Sequence, residues 1–339
     1  MRILHVIPGL EEATFVFAKR QAASLQKMGT ECRTYHLGFC RSPARVLSEV
    51  RRLRQAIRAF QPDVIHPHYG GITALLCAVT TTRPLVITFQ GSDLNPVPSE
   101  RSLRPALGHL FSHLATLRAR HIVCVSRQLK ERLWWRKSRA SVISSGVNME
   151  IFYPRPREEA RLALGWPCDD RVVLFNAGRY PKIKRLDLAE EAVEAARKLI
   201  GPVRFFVLSG NFAPEAVPLA MSGADCLLVT SDWEGSPNFV KEALACNLPI
   251  VSVPVGDVPE RLEHTTPSRI VDRDPAKLGA AIAEILELGR RSNGRENMLE
   301  LDEDVVAERI RSIYDSATGG RQSDGWLQPS KSSARPQAR

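Results

Sequence analysis

Residues 231–260 read SDWEGSPNFVKEALACNLPIVSVPVGDVPE, and their pattern is the clearest indication of the fold class. A strand-like run from Cys226 to Thr230 precedes it, and residues with helical potential, Phe239 to Cys246, follow Pro237. A further apolar run, Ile250 to Val253, then predicts another strand. Strand, polar loop, helix and strand in this order form the repeating unit of a parallel sheet covered by helices.

Two glutamates in this stretch, Glu234 and Glu242, are separated by seven residues. A loop that opens a helix leaves free backbone N–H groups near one point, and the helix dipole favours an anion there. Amides that hold a phosphate, beside carboxylates that accept hydrogen bonds from hydroxyls, suit a sugar nucleotide. The alternative is a capped helix whose glutamates are only solvated.

A basic turn is predicted after the apolar run Val172 to Asn176, where Ala177 and Gly178 redirect the chain before a helix that starts near Leu186. Four basic residues occupy this turn: Arg179, Lys182, Lys184 and Arg185. Arginine forms a bidentate contact with phosphate oxygens, and lysine supplies a mobile point charge. Both stabilise the negative charge that builds on a departing nucleotide diphosphate. The alternative is an ordinary solvated loop.

These two segments together resemble the retaining glycosyltransferases of family 4, also called group 1, which have the GT-B fold. The resemblance is carried in the C-terminal half by Gly178-Arg179-Tyr180 with Lys184, Ala224-Asp225, Thr230-Ser231, Glu234-Gly235, Glu242-Ala243, Ala245-Cys246, Leu248-Pro249-Ile250 and Gly256 to Glu260. The N-terminal half is similar over Asp63 to Gly71, Pro84 to Leu94 and Val142 to Pro154.

The resemblance implies an α/β chain of GT-B architecture, with two Rossmann-like domains whose parallel sheets face a central cleft. We expect an N-terminal acceptor-binding domain over residues 1–153 and a C-terminal nucleotide-sugar-binding domain over 154–317, with the last helix packing back across the cleft. Residues 318–339 are rich in Gly, Ser, Pro and Gln and are expected to be a disordered tail. The stretch from Ser209 to Asp225 is short for the family, so the C-terminal domain is expected to be shortened.

Alternating apolar runs give the same fold class without the resemblance. The predicted strands are Ile3–Ile7, Arg33–Leu37, Val64–His66, Leu85–Phe89, His121–Val125, Ser141–Ile143, Val172–Asn176, Val203–Leu208, Cys226–Thr230, Ile250–Val253 and Arg269–Val271.

The resemblance also implies roles for individual residues. Arg179 and Lys184 would neutralise the diphosphate, and Glu234 would lie beside the donor sugar's hydroxyls; these three are the expected catalytic residues. Glu242 would accept hydrogen bonds from the ribose hydroxyls, and Asp93 is a candidate either for a structural role or for an acceptor-side contact. The other expected donor-binding residues are Gly9, Gln90, Gly178, Gly235, Ser236, Pro237, Asn238 and Phe239. No metal is expected, and no protein nucleophile is required.

The sequence departs from the family pattern at several positions. Gln90 stands where the family usually has histidine, so it can hydrogen-bond a sugar but cannot take up a proton. Glu11 and Glu12 replace glycine in the first loop, and carboxylates there fit poorly beside a diphosphate. Asn148 replaces the usual aspartate.

Two other functions therefore stay open beside a retaining glycosyltransferase that moves a sugar from a nucleotide-diphosphate donor to a hydroxyl acceptor. One is a GT-B-type sugar-nucleotide epimerase, and the other is a non-catalytic partner subunit. A dinucleotide-dependent oxidoreductase is disfavoured because residues 8–11, PGLE, lack the G-x-G-x-x-G turn. We expect a saccharide or lipid-linked acceptor and a role in cell-surface polysaccharide or glycoconjugate synthesis.

Charge is distributed unevenly along the chain. Residues 1–150 carry 22 Lys/Arg and 9 Asp/Glu, a net charge of 22 − 9 = +13, whereas the whole chain carries +10. The segment Arg127 to Arg139 sets Trp134 and Trp135 among basic residues, a pattern that suits an anionic membrane surface. The alternative is a solvated helix whose tryptophans pack in the core. Nucleic acid is not an expected partner, because the sequence carries no nucleic-acid-binding motif.

The cysteines and apolar runs indicate the compartment. Seven scattered cysteines without a C-x-x-C pair are typical of reduced thiols in the cytoplasm. No run reaches the roughly 20 apolar residues that span a bilayer, so any membrane contact would be peripheral, at the inner face. His66 and His68 form a pair that could suggest a metal, but a packing role is favoured because the sequence indicates no third ligand.

Overall fold

The structure is a computed structural model that describes residues 1–9, 15–38, 42–95, 103–178, 181–209 and 212–319. Glu11, Glu12, Arg179 and nearly all of the expected tail lie outside these residues, so the predictions about them stay predictions.

The N-terminal domain alternates strands and helices. Its strands are β1 (Arg2–Pro8), β2 (Glu31–Leu37), β3 (Val64–Pro67), β4 (Val86–Phe89), β5 (His121–Cys124) and β6 (Ala140–Val142). Its helices are α1 (Val16–Lys27), α2 (Pro43–Phe60), α3 (Gly71–Thr80), α4 (Leu103–Thr116) and α5 (Arg127–Glu131). All strand pairs are parallel, in the orders β2-β1-β3 and β4-β5-β6, and an Ile65–Leu85 bridge joins the two sets.

The C-terminal domain has one parallel sheet in the order β8-β7-β9-β10-β11. These strands are β7 (Val172–Gly178), β8 (Arg204–Ser209), β9 (Cys226–Val229), β10 (Ile250–Ser252) and β11 (Arg269–Ile270). The helices are α6 (Arg157–Leu164), α7 (Pro181–Lys184), α8 (Leu186–Ile200), α9 (Val217–Gly223), α10 (Asn238–Ala245), α11 (Val258–Leu262), α12 (Pro275–Leu288) and α13 (Gly294–Met298).

Burial explains why the strands read as continuous apolar runs in the sequence. All four residues of β9 are buried, and the five residues Ile3 to Ile7 of β1 are buried as well. Helices cover both faces of such a parallel sheet, so alternation of polar and apolar residues is not required. Each predicted strand is present with its ends within two residues of the prediction.

The segment between β8 and β9 is short, as the sequence predicts. Among residues 212–225 it contains a 3₁₀ turn, Pro214–Ala216, and the seven-residue helix α9.

The last helix, α14 (Glu303–Thr318), returns to the N-terminal domain. It begins beside the interdomain segment, where Val147 pairs with Asp302 in an isolated bridge. A Cβ at Gly146 would lie 2.7 Å from the Cα of Glu303, so only glycine fits this crossing. Further along, Arg311 donates from Nη1 to the backbone oxygen of Met28 at 2.9 Å. The expected return of the last helix is confirmed, and the 153–154 domain boundary stays a prediction.

Candidate functional site

The two domains meet where β4 and β9 end. A Cβ at Gly235, in the loop after β9, would lie 2.1 Å from the backbone oxygen of Gln90, which follows β4. A Cβ at Gly91 would lie 3.4 Å from the Gly235 nitrogen. Asn95 completes the contact by donating from Nδ2 to the Glu234 backbone oxygen at 3.3 Å. The structure therefore brings Gln90 against the expected donor loop, through an approach that requires glycine.

Asp93 anchors the N-terminal side of this contact. Its carboxylate accepts hydrogen bonds from the backbone N–H groups of Gln90 (3.0 and 3.1 Å), Gly91 (2.8 Å) and Gly70 (3.0 Å). Burial raises the pKa of Asp93, and these amide donors oppose that rise. The side chain is only 3% exposed, so the geometry favours loop anchoring over the acceptor contact that the sequence suggests.

Lys184 and Glu234 form an ion pair beyond the carboxyl ends of strands β7 and β9. Lys184 ends α7, and its backbone oxygen accepts a hydrogen bond from Thr230 Oγ1 at 2.7 Å, which fixes α7 against the end of β9. The two charged side chains are 26% and 15% exposed, so a ligand in the cleft can reach them. A diphosphate that entered here would compete with the carboxylate for the Lys184 ammonium and would free Glu234 for a sugar hydroxyl.

Gly178 ends β7 on the same side of the sheet. It adopts a φ of 51°, and its N–H donates to Asn176 Oδ1 at 3.0 Å. Such a backbone conformation favours glycine and turns the chain toward α7. The residue that follows, Arg179, is the expected catalytic residue that lies outside the described part of the chain.

The start of α10 lies where the sequence predicts an anion site, and that site stays a prediction. Pro237 is the N-cap, and the first-turn amides of Asn238 and Phe239 lie at the helix end that attracts negative charge. Ser236 Oγ donates to Asp257 Oδ2 at 2.8 Å and is hydrogen-bonded to Ser144 Oγ at 2.7 Å. The loop is thus tied both to its own domain and to the interdomain segment.

Lys241 is a site residue that the motif reasoning missed. It is 1% exposed, and its Nζ donates to Ser144 Oγ at 2.8 Å and to the Ser145 backbone oxygen at 2.7 Å. Burial lowers its pKa to about 7, and Asp257 opposes that fall. The signal in the sequence is a lysine three residues before the buried Leu244, at the spacing of the apolar helix face.

Glu242, in α10, is paired with a residue of the other domain. Its Oε1 is 3.5 Å from Nη1 of Arg20, which belongs to α1. The same guanidinium nitrogen is 3.8 Å from Oε1 of Glu303 at the start of α14. Burial raises the pKa of Glu242, while Arg20 lowers it. Because the sequence separation is large and no motif includes Arg20, sequence reasoning had no signal for this pair.

Asn148 donates a hydrogen bond that an aspartate at this position could not donate. Its Nδ2 donates to Glu303 Oε2 at 3.1 Å, and its Oδ1 accepts from the N–H groups of Glu150 and Ile151 at 3.0 and 2.9 Å. An aspartate would keep the accepted bonds but would set a second carboxylate against Glu303.

Gly9 directly follows β1 with a φ of 90°, and its N–H donates to the Leu37 oxygen at 2.9 Å. The residues that follow it lie outside the described chain, so its expected approach to the donor stays a prediction.

The expectation that no third ligand lies near His66 and His68 is wrong. His5 is the cross-strand partner of His66, and ring nitrogens of the three histidines lie within 4.8 Å of one another. The register of the parallel strands β1 and β3 brings His5 beside His66, and the sequence did not show this register. Burial lowers the pKa of His5 to about 4 and those of His66 and His68 well below the usual value, so the rings are neutral at pH 7.

Hydrogen bonds support the expected packing role for these rings. His66 contacts Thr88 Oγ1 at 2.6 Å and the Tyr314 hydroxyl at 2.5 Å, so both of its nitrogens are used. His5 Nδ1 and His68 Nε2 share a hydrogen bond of 2.8 Å. The cluster ties α14 to the N-terminal sheet, and the expectation of a reaction without metal stays a prediction.

The described part of the chain holds no helix with the length and apolar character needed to cross a membrane. Its cysteines are free, and Cys168 is the exposed one among them.

Comparisons with known proteins identify the family of the chain. The family described as Glycosyltransferase Family 4 matches residues 8–151, and the family described as Glycosyl transferases group 1 matches residues 169–288. TuaC of Bacillus subtilis, provisionally named a teichuronic acid biosynthesis glycosyltransferase, is 27% identical over 238 residues, which cover 61% of this chain and 59% of TuaC. A D-inositol 3-phosphate glycosyltransferase of Thermobispora bispora is 28% identical over 289 residues, which cover 71% of this chain and 66% of that protein. The alignments thus span less than two thirds of either relative.

A solved structure shows the same fold. Anabaena HepE in complex with UDP-glucose superposes with a TM-score of 0.73 at 16% identity, covering 93% of this chain and 100% of that chain. This likeness and the parallel sheets of the two domains show the GT-B fold. The two adjoining family matches, the motifs that carry them and the fold lead to one conclusion: the chain belongs to the family 4, or group 1, glycosyltransferases.

Proposed function

We propose that this protein is a retaining glycosyltransferase that moves a sugar from a nucleotide-diphosphate sugar to a hydroxyl acceptor. The observation that carries the proposal is the Lys184–Glu234 pair beside the amide-rich start of α10, facing the Gln90–Gly91 backbone across the cleft. Two relatives are glycosyltransferases by name, and the HepE structure holds UDP-glucose.

Donor binding would use groups already placed in the cleft. Lys184, with Arg179, would neutralise the diphosphate, and the amides of Gly235 to Phe239 would add hydrogen bonds to its oxygens. Glu234 would accept a hydrogen bond from the sugar, and Glu242 would accept from the ribose once Arg20 yields its place. These contacts strengthen as charge builds on the leaving group, which is how they would lower the barrier.

The transfer itself would proceed on one face of the sugar. The acceptor oxygen forms a bond to the anomeric carbon as the bond to the diphosphate oxygen breaks, and the acceptor proton passes to the departing phosphate. Neither a protein nucleophile nor a metal is needed in this scheme. Gln90 would hydrogen-bond the donor sugar, since an amide cannot take the proton.

The acceptor would be a saccharide or lipid-linked hydroxyl in cell-surface polysaccharide or glycoconjugate synthesis. The name of TuaC refers to teichuronic acid biosynthesis, and the N-terminal domain here carries a net charge of +13 over residues 1–150, from 22 Lys/Arg and 9 Asp/Glu. We place the protein in the cytoplasm, peripheral to the inner face of the membrane, with no nucleic-acid partner.

An assay with and without acceptor tests the proposal. Purified protein is incubated with a panel of radiolabelled nucleotide sugars, alone and with a membrane glycolipid extract, and the products are separated and examined by NMR. We expect labelled acceptor and free nucleoside diphosphate only when extract is present, with the anomeric configuration retained. A new sugar nucleotide formed without extract would instead identify an epimerase. No turnover of any donor would point to a non-catalytic partner subunit.

A further inference from the structure

Helix α4 exposes leucines where a water-facing helix normally carries charges. Leu107, Leu110 and Leu114 are 47%, 38% and 38% exposed, and Leu117, directly after the helix, is 51% exposed. Their spacing of three, four and three residues places them on one face. Residues 105–117 contain no Asp, Glu, Lys or Arg. This face is therefore apolar along its whole length.

The other face of α4 is held by the N-terminal domain. Ser112, Ala115 and Thr116 are fully buried, and Ser112 Oγ donates to the Asp93 backbone oxygen at 2.8 Å. The helix cannot turn its leucines inward without breaking these contacts. The exposed leucines are thus a fixed property of the fold.

A tryptophan enlarges the same surface. Trp134 is 59% exposed and stacks on His113 of α4 with ring centroids 3.9 Å apart. The adjacent Trp135 instead donates from Nε1 to Thr116 Oγ1 at 2.7 Å, which fixes the segment to α4. The Trp135 indole therefore holds its segment within the domain, whereas the Trp134 indole is available to a partner. We name the combined surface the leucine face; it comprises Leu107, Leu110, Leu114, Leu117 and Trp134.

Basic residues dominate the chain around the leucine face. Residues 104–139 contain nine Lys/Arg and one Asp/Glu, a net charge of 9 − 1 = +8. Lys137 and Arg139, three and five residues after Trp134, are exposed, and Arg136 donates from Nη1 to the Ala119 oxygen at 3.0 Å just beyond α4. Arg127 is not counted among them, because its Nε lies 3.7 Å from Oε2 of Glu260 in the C-terminal domain. An apolar surface inside a positive region matches a partner that is apolar within and anionic at its surface.

We propose that the leucine face docks on an anionic lipid bilayer. The leucines and Trp134 would enter the boundary between headgroups and acyl chains, and the basic residues would contact the anionic headgroups. A second copy of the chain fits less well, because it would bring two regions of +8 charge together.

Docking in this orientation would place the cleft near the membrane. His109 of α4 is hydrogen-bonded through Nε2 to the Ser92 oxygen at 3.3 Å, two residues after Gln90. The leucine face therefore adjoins the loop that forms the N-terminal side of the cleft. The choice of a lipid-linked acceptor rests on the proposed function, whereas the docking itself does not.

Vesicle flotation tests the docking surface. The probes are vesicles of phosphatidylcholine with phosphatidylglycerol, and vesicles of phosphatidylcholine alone. We expect the wild-type protein to float with the anionic vesicles, less at high salt, and to stay unbound with the neutral ones. The variant L107Q/L110Q/L114Q should lose at least about tenfold in partition coefficient.

A matched control changes three exposed leucines of the C-terminal domain. L162Q/L199Q/L288Q alters residues that are 81%, 61% and 44% exposed and far from the basic segment in sequence, and it should float like the wild type. Equal flotation of the α4 variant, or no flotation of the wild type, would overturn the proposal. A dimer in sedimentation analysis that the α4 variant breaks, without vesicle binding, would assign the face to a second copy. Thermal shifts with nucleotide sugars, measured in parallel, separate failure of docking from failure of the transferase function.

Discussion

At the scale of single residues, the Lys184–Glu234 pair explains how the cleft can be ready for a donor before it arrives. Each side chain is held by the other and stays partly exposed, at 26% and 15%. A cation that is already positioned by an ion pair lowers the cost of binding a diphosphate, because its side chain is ordered before the ligand arrives. The ion pair is then exchanged for two contacts to the ligand.

Replacing Lys184 by alanine should abolish transfer and leave the fold intact. We expect kcat/KM to fall at least about 100-fold, because the leaving-group charge loses its partner. Steady-state kinetics and the thermal unfolding midpoint measure the two effects. Lys182→Ala, an exposed lysine on the same helical turn, is the matched control and should keep normal rates. Normal transfer by Lys184→Ala would contradict the site assignment.

Glu242→Ala should strongly reduce transfer, with its main effect on donor binding. The ribose would lose an acceptor, and Arg20 would keep Glu303 as its partner, so the domains should stay in contact. We expect the donor KM to rise at least about tenfold. Kinetics with varied donor concentration measure this change, and Glu263→Ala, an exposed glutamate, serves as the control. An unchanged KM would exclude Glu242 from the ribose site.

At the scale of elements, the loop between β9 and α10 is fitted to the loop after β4. Gly235 lies against the Gln90 backbone oxygen, and a Cβ there would approach it to 2.1 Å. Any side chain at position 235 would push the two loops apart. The close contact between the two domains therefore depends on the absence of a Cβ at position 235.

Gly235→Ala should therefore reduce transfer more than it reduces stability. The inserted methyl group displaces one loop, and such overpacking costs about 1–3 kcal/mol. We expect kcat/KM to fall at least about tenfold, because reacting groups on the two sides move apart. Gly108→Ala is the control, since a Cβ at that helical position meets nothing within 4 Å. If both variants transferred at the wild-type rate, the close approach would have no role in the reaction.

The elements themselves could be predicted from the sequence, and the contacts between them could not. Strand β9 was visible as an apolar run because parallel strands are buried on both faces. The hydrogen bonds from Lys241 to Ser144 and Ser145 were not visible, because nearly 100 positions separate the partners along the chain. Lys241 appears in the sequence only as one of two adjacent charged residues, with Glu242, within a largely apolar helix.

At the scale of the whole molecule, the GT-B architecture is closed by α14. Tyr314 near its end is fully buried and bonded to His66, in a cluster of neutral histidines with His5 and His68. The motifs predicted the architecture and the return of this helix. They did not predict the cluster, because the register that brings His5 beside His66 is set by strand pairing.

The histidine cluster should make the protein sensitive to acid. Burial lowers the pKa of His5 to about 4 and holds those of His66 and His68 well below 6.5. Between pH 6.5 and 4 the unfolded chain therefore binds more protons than the folded one, and the free energy of unfolding falls as pH falls. Each histidine contributes up to about 1.4 kcal/mol per pH unit in this window.

His68→Gln should reduce the slope of the free energy of unfolding against pH by about the contribution of one histidine. Urea unfolding at several pH values between 5 and 7 measures the slope, independently of any overall loss of stability. His264→Gln, at an exposed position, should leave the slope unchanged. Equal slopes for His68→Gln and the wild type would show that the cluster does not control acid stability.

Calorimetric titration with nucleoside diphosphates and a full set of their sugars measures binding at the proposed diphosphate site between Lys184 and the start of α10. We predict saturable heat for one donor and its nucleoside diphosphate, lost in Lys184→Ala and kept in Lys182→Ala. The absence of heat for every activated sugar, or equal binding by Lys184→Ala, would contradict the account.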